Sequence, residues 1–174
     1  MSQRRSLLLV LATVTALTLS VVAPGTAVPP TREDISFGTF TVEGICSFPV
    51  EIEALTDGET LTRFFDQGGN VVMELTSGPL QVRITNLDTG ESIELNVSGP
   101  GQLVIDEEQA TLTQHGPWLT FVFPGAFEDD PDFEPGLYFT KGPVVAEFDS
   151  ETGAFLTYTA ITENRTNLCE VLAD

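Results

Sequence analysis

Two cysteines are the side chains of this sequence best suited to chemistry of their own. Cys46 lies in the stretch EGICSFPVEIE, and Cys169 lies near the end of the sequence. A thiol can act as a nucleophile, bind a metal or form a disulfide. A nucleophile needs a partner base and a zinc site needs four ligands, whereas the chain has two cysteines and one histidine. Two cysteines in an exported chain usually pair, so we predict a Cys46–Cys169 disulfide.

The single histidine, His115 in TQHGPWL, could serve as a general base or as a metal ligand, and the nearby Trp118 could line a pocket. Gly116-Pro117 instead indicates a turn, where a lone histidine is usually a surface residue. The sequence contains none of the nucleophile-elbow, zinc-helix, P-loop or dinucleotide fingerprints. We therefore predict no catalytic residue and no cofactor.

An acidic stretch, AFEDDPDFEPG at 126–136, is the one candidate metal site. Carboxylates spaced as in Asp130, Asp132 and Glu134 are ligands that calcium prefers. The EF-hand pattern fails here, because Pro135 stands where that loop needs glycine and Lys141 stands where it needs glutamate. We expect a solvated connection between strands, and the alternative is a calcium site at these three residues.

Alternation of apolar and polar residues predicts the elements that must position any site. A period of two is typical of strands with one face in a core, and it recurs at 50–54, 80–85, 93–97, 119–123, 144–148 and 155–161. Turn signals separate these runs: DQGGN, LDTGE and DSETG favour tight hairpins. The breaks TSGPL and VSGPG share Ser-Gly-Pro, without a longer repeat around them.

The pattern therefore predicts an all-β fold, an antiparallel meander of about 9–11 strands. A meander of that length must hide its edges, so a closed or nearly closed β-barrel is expected, with a β-sandwich as the alternative. One short helical turn is predicted within 164–172.

The beginning of the chain resembles an export signal. Arg4 and Arg5 precede an apolar run, and small residues follow at 25–27, so we predict a signal peptide at 1–27. An uncleaved anchor is the alternative, and QRRSLLL resembles a twin-arginine signal. The remaining chain divides into an N-terminal segment at 28–44 and a single β-domain at 45–174. The expected location is secreted or extracellular.

The charge of the chain excludes several partners. All 26 acidic residues follow the predicted signal, against five of the seven basic ones, so the mature net charge is 5 − 26 = −21. A surface this acidic excludes nucleic acid and, after signal cleavage, anionic membranes as partners, since both need a basic footprint. We expect a monomer whose partner is a small molecule or a component of the cell envelope.

Several motifs are similar to those of uncharacterised secreted β-rich proteins of high-GC Gram-positive bacteria. The resemblance rests on the Cys-x-Phe-Pro-Val start at 46–50, the TNLxTG hairpin at 85–90, the Gly-Pro break at 99–100 and the Cys-containing tail at 168–172. The chain departs from that group at Glu91, Asn167 and Glu170. The resemblance implies a secreted β-domain with an end-to-end disulfide, and it implies no activity.

From these observations we expect a non-catalytic extracellular domain with a binding or cell-envelope-associated role. A small-molecule carrier or an enzyme with its site in a barrel mouth is the alternative. The third hypothesis is a calcium-dependent adhesion module that uses the 126–136 loop.

Overall fold

The chain is seen in a computed structural model that describes residues 27–126, 134–153, 155–160 and 165–173. Nearly all of the predicted signal peptide at 1–27 lies outside these ranges. No helix of the described ranges is long and apolar enough to cross a bilayer. The elements in chain order are β1 (Thr31–Asp34), β2 (Thr39–Val42), β3 (Val50–Asp57), β4 (Thr60–Phe65), β5 (Val71–Ser77), β6 (Leu80–Asn86), β7 (Ser92–Asn96), β8 (Gly101–Ile105), β9 (Gln109–Gln114), β10 (Pro117–Val122), β11 (Gly136–Lys141), β12 (Val144–Asp149), β13 (Phe155–Ala160), β14 (Arg165–Asn167) and α1 (Leu168–Val171).

The strands form three antiparallel sheets, with orders β1-β4-β5-β8-β9-β12-β13, β2-β3-β6-β7 and β10-β11-β14. These orders divide the strands into seven successive pairs, from β1-β2 to β13-β14, and each pair is named a long strand here; the six long strands whose connections are described bend once. One half of each long strand lies in the seven-stranded sheet, and the other half lies in one of the two smaller sheets. The first four long strands build the four-stranded sheet, and the last three build the three-stranded sheet. Strands thus lie side by side in chain order, as in a meander.

Glycine marks the bends where the chain passes from one sheet to another. Each of the six bends that lie wholly in the described residues contains one: Gly38, Gly58, Gly78, Gly99, Gly116 and Gly142. Neighbouring bends also bond to each other; Gly58 N donates to Pro79 O at 2.9 Å, and Gly142 N donates to Gly116 O at 3.0 Å. Strands that change sheets commonly do so at bends of this kind. The two Ser-Gly-Pro breaks of the sequence are two of these bends.

The predicted all-β, antiparallel fold with a short C-terminal helical turn is confirmed, and its details differ in two ways. The described part has fourteen strands instead of 9–11, because the bends divide the long strands, and because β1 and β14 lack the buried alternation that would reveal them. None of the three sheets closes on itself within the described residues, so a closed barrel is not confirmed. The predicted N-terminal segment at 28–44 contributes β1 and β2 to the sheets.

The hydrophobic core lies between the two smaller sheets. Alternation in β3 and β6 buries one face of the four-stranded sheet, and the opposite wall comes from Leu137 on β11 and Leu168 on α1. Full burial of one such side chain stabilises the fold by roughly 1.5–3 kcal/mol. The buried cluster comprises Ile45, Phe48, Val50, Ile52, Leu80, Val82, Ile84, Val97, Leu137, Leu168 and Leu172.

Candidate ligand-binding cavity

The four-stranded sheet forms one wall of a cavity of about 120 Å³. Ile52 and Ala54 on β3 and Val82 on β6 line it, and Ala54 pairs directly with Val82. Just beyond this pair the register shifts, which leaves Leu55 as an additional, exposed residue in β3. A bulge bends a strand and ends regular pairing, and bulges are frequent beside functional sites. Here the bulge separates the regular core from the bend that follows β3.

The three-stranded sheet forms the other wall through Trp118, Leu119 and Phe121 on β10. The Trp118 indole is fixed, because its Nε1 donates to His115 O at 3.2 Å. It also lies directly against the bend at Gly99, where an added Cβ would overlap the indole ring. A glycine at position 99 allows this close approach without displacement of the indole. The only tryptophan of the chain is thus held in the cavity wall.

The rim of the cavity consists of the bend between β1 and β2. Phe37 and Phe40 line the cavity and yet remain 45% and 38% exposed, so they lie where it meets solvent. Asp57 anchors this rim: its Oδ2 accepts hydrogen bonds from Ser36 Oγ at 2.8 Å, Phe37 N at 2.7 Å and Gly38 N at 3.2 Å. Burial opposes the ionisation of Asp57, but the hydrogen bonds outweigh it and lower the pKa of this carboxyl.

Glu59 is the ionisable side chain that lines the cavity. It lies in the bend between β3 and β4, where its backbone oxygen accepts from Ile35 N at 3.0 Å, and the residue is only 2% exposed. No side chain or backbone group of the described residues donates a hydrogen bond to its carboxyl. Burial, together with the negative charge of Asp57, raises the pKa of Glu59 from 4.5 to about 7.

An apolar volume with one buried polar group is the usual form of a small-molecule site. The volume is close to that of engineered cavities of about 150 Å³ that bind benzene. A buried carboxyl without a donor is costly to the fold, and a bound molecule that supplies the donor removes that cost. The arrangement can therefore hold a compact apolar molecule and orient it through Glu59.

The predicted disulfide is confirmed at the opposite end of the core. Cys46 lies in the loop between β2 and β3, Cys169 lies in α1, and their Cα atoms are 5.4 Å apart. Leu137 N donates to Cys169 Sγ at 3.4 Å, which ties the bridge to β11. The bridge joins the beginning of the domain to its last described residues and does no chemistry at the cavity.

The remaining predicted sites lie apart from the cavity or outside the described residues. His115 is exposed in the bend between β9 and β10 and contributes its backbone oxygen to Trp118. Asp130 and Asp132 lie outside the described residues, whereas Glu134 accepts a bond from Tyr138 Oη through its backbone oxygen at 2.8 Å. Within the described ranges, no three metal-ligating side chains lie together. The calcium hypothesis therefore stays a prediction.

Glu59 is the residue that sequence reasoning missed. In TDGET it reads as one of 26 acidic residues in a polar turn, and turns of that composition are usually solvated. No local signal marks it, because the residue that follows a bend glycine is exposed at Thr39, Pro79 and Pro100 and buried at Glu59. No family model, curated protein or solved structure matches this chain.

Proposed function

We propose that the chain is an extracellular binding protein that holds a small, largely apolar molecule in the cavity between the two smaller sheets. The observation that carries this proposal is Glu59, a carboxyl that is 2% exposed, lines an apolar cavity and has no hydrogen-bond donor among the described residues. Such a group disfavours the empty domain and favours a ligand that reaches it.

The walls and rim of the cavity support binding of a compact molecule. Trp118 and Phe121 offer flat apolar surfaces, and Phe37 and Phe40 at the rim can cover a bound molecule. Anchoring of the rim by Asp57 keeps the cavity preformed, which lowers the entropic cost of binding. The expected ligand is about the size of a benzene ring with one polar substituent.

The extracellular location is part of the same proposal. A Cys46–Cys169 disulfide is typical of oxidising compartments, and the predicted signal peptide and the resemblance to exported bacterial proteins support export. A net charge of −19 favours a monomer that repels its own copies. Contact with the cell envelope, catalysis in the cavity and calcium-dependent adhesion remain predictions from the sequence.

Titration of the purified protein with benzyl alcohol tests the proposal, with the fluorescence of Trp118 as the signal. Because this is the only tryptophan and it lines the cavity, occupancy should change its emission. Ala54→Leu should fill the cavity and abolish the change. Ala173→Leu adds the same atoms at an exposed position beyond α1 and is the matched control. Equal titration curves for Ala54→Leu and the unmodified protein would contradict the proposal.

A further inference from the structure

We propose that the molecule held in the cavity is a small apolar primary amine, bound as its ammonium ion to the Glu59 carboxylate. This inference rests on the proposed function and names the chemical class of its ligand. Two neighbouring carboxyl groups differ here: the pKa of Asp57 is lowered and that of Glu59 is raised. No cation of the described residues acts on Glu59.

Two carboxyl groups lie close together at the bend between β3 and β4, and no cation of the described residues acts on either of them. Glu59 has no donor among the described residues, and Asp57 Oδ1 is buried with no hydrogen-bond partner there. The charge of Asp57 acts on Glu59 and opposes its ionisation. Arg32, on the adjacent β1, donates instead to Thr60 Oγ1 at 3.2 Å. A ligand cation at Glu59 would also offset the negative charge of Asp57 that opposes the ionisation of Glu59, whereas a neutral ligand would not.

The rest of the cavity suits an ammonium group on an apolar body. Phe37, Phe40, Trp118 and Phe121 line it, and aromatic rings attract cations through their faces. A metal ion fits less well, because hard cations need several oxygen ligands and Glu59 supplies the single carboxylate of the lining. The acidic surface, with a net charge of −19, would also attract cations and repel carboxylate ligands.

Binding of an ammonium ion must be linked to the protonation of Glu59. Its pKa of about 7 means that the free carboxyl is mostly protonated at pH 6 and mostly ionised at pH 8. Asp57 faces it with a lowered pKa and stays ionised over this range, and the other lining residues, from β2, β3, β6 and β10, carry no titratable group. The amine therefore binds the ionised form and releases a proton below pH 7, so its affinity rises by about tenfold from pH 6 to pH 8.

Benzylamine and benzyl alcohol test this inference, because they share a shape and differ in charge. Dissociation constants are measured at pH 6 and pH 8 through Trp118 fluorescence for the unmodified protein, Glu59→Gln and Glu91→Gln. We expect the amine to bind more tightly at pH 8, the alcohol to lack this gain, and Glu59→Gln to remove the difference between them. Glu91→Gln removes one charge from the exposed turn between β6 and β7 and should retain the difference.

Calorimetry of benzylamine binding in two buffers of different ionisation enthalpy supplies a second measurement on the unmodified protein, in case Glu59→Gln fails to fold. Net proton release near pH 6.5 is expected. If benzyl alcohol binds and benzylamine binds no more tightly, the amine inference is overturned and the proposed function stands. The same holds if benzylamine binds without releasing a proton. Binding of neither probe would overturn both.

Discussion

The two ends of the β3–β6 pair differ in whether their buried polar side chain has a hydrogen-bond partner. At one end Val50 pairs with Asn86, which is 1% exposed and donates through Nδ2 to Leu172 O at 2.8 Å. At the other end, beyond the Ala54–Val82 pair, Glu59 is as deeply buried and has no donor in the described residues. Buried polar groups in native folds are nearly always satisfied. The first end is therefore structural, and the second is the end at which we propose that a ligand binds.

The two ends also differ in the residues and elements that form them. The end at Asn86, which we name the stapled end, is closed by the disulfide, α1 and large apolar side chains such as Phe48 and Leu172. The end at Glu59, the open end, is where the long strands bend between sheets. One bend glycine, Gly38, lines the cavity beside Phe37, and Gly99 packs against the indole of Trp118 in the cavity wall.

The largest expected effect is loss of the disulfide at the stapled end. We expect Cys46→Ala with Cys169→Ala to lower the free energy of unfolding by about 4 kcal/mol, because the bridge closes a loop with a sequence separation of 123. Urea unfolding of oxidised protein and of the double variant measures the change. A fall of less than about 1 kcal/mol would show that the stapled end holds without its bridge. Benzyl alcohol binding should persist in the variant while it remains folded.

Glu59→Gln should give the next largest effect, and its sign depends on pH. Since the pKa of Glu59 is raised in the folded protein, ionisation costs stability as the pH rises from 4.5 to about 7. The cost is on the order of 3 kcal/mol at higher pH and vanishes below 4.5. The variant should therefore be more stable than the unmodified protein near pH 8 and equal to it near pH 4.

Urea unfolding at both pH values measures this difference. Glu91→Gln, which removes one charge from an exposed position, controls for the general repulsion of an acidic chain. If Glu59→Gln and Glu91→Gln raised the free energy of unfolding equally at pH 8, burial of the Glu59 carboxylate would not destabilise the open end.

The stapled end could be predicted from sequence, because its signals are local. Val50 and Ile52 alternate with glutamates and are buried as expected, and two cysteines in a chain predicted to be exported leave one intramolecular pairing. The strand count failed for a related reason. The alternation of apolar and polar residues continues through a glycine bend, although the strand enters another sheet there. Bends such as Gly58 therefore cannot be recognised from this alternation alone.

The open end could not be predicted, because its defining property is long-range. Glu59 and Trp118 lie far apart in sequence and meet through the packing of two sheets. Neither residue differs locally from an ordinary acidic turn residue or strand aromatic. Trp118 was recognised as a residue that could line a pocket, whereas the burial of Glu59 depends on which way the chain turns after Gly58. Sequence periodicity carries no information on that direction.

A smaller effect is expected from Asn86→Ala at the stapled end. The variant leaves the buried Leu172 O without its donor and also removes the Oδ1 that accepts from Asp88 N and Thr89 N, so the free energy of unfolding should fall by about 2 kcal/mol. Asn96→Ala is the matched control, since Asn96 Oδ1 accepts from Ser98 N at 3.0 Å but is exposed. Thermal and urea unfolding compare the two. An equal loss of unfolding free energy in both variants would show that burial of Asn86 does not strengthen its contribution to stability.

The smallest expected effect is Gly99→Ala at the open end, with a loss of about 1–2 kcal/mol. Its Cβ would overlap both the indole of Trp118 and the backbone oxygen of His115, so the ring and the neighbouring bend must shift and the Trp118 fluorescence spectrum should change. Gly101→Ala is the graded control, because its Cβ would lie 3.0 Å from Trp118 Cζ2 and needs only a slight adjustment. We expect Gly99→Ala to weaken benzyl alcohol binding more than Gly101→Ala does. The reverse order would mean that the bend at Gly99 does not set the position of Trp118 in the cavity wall.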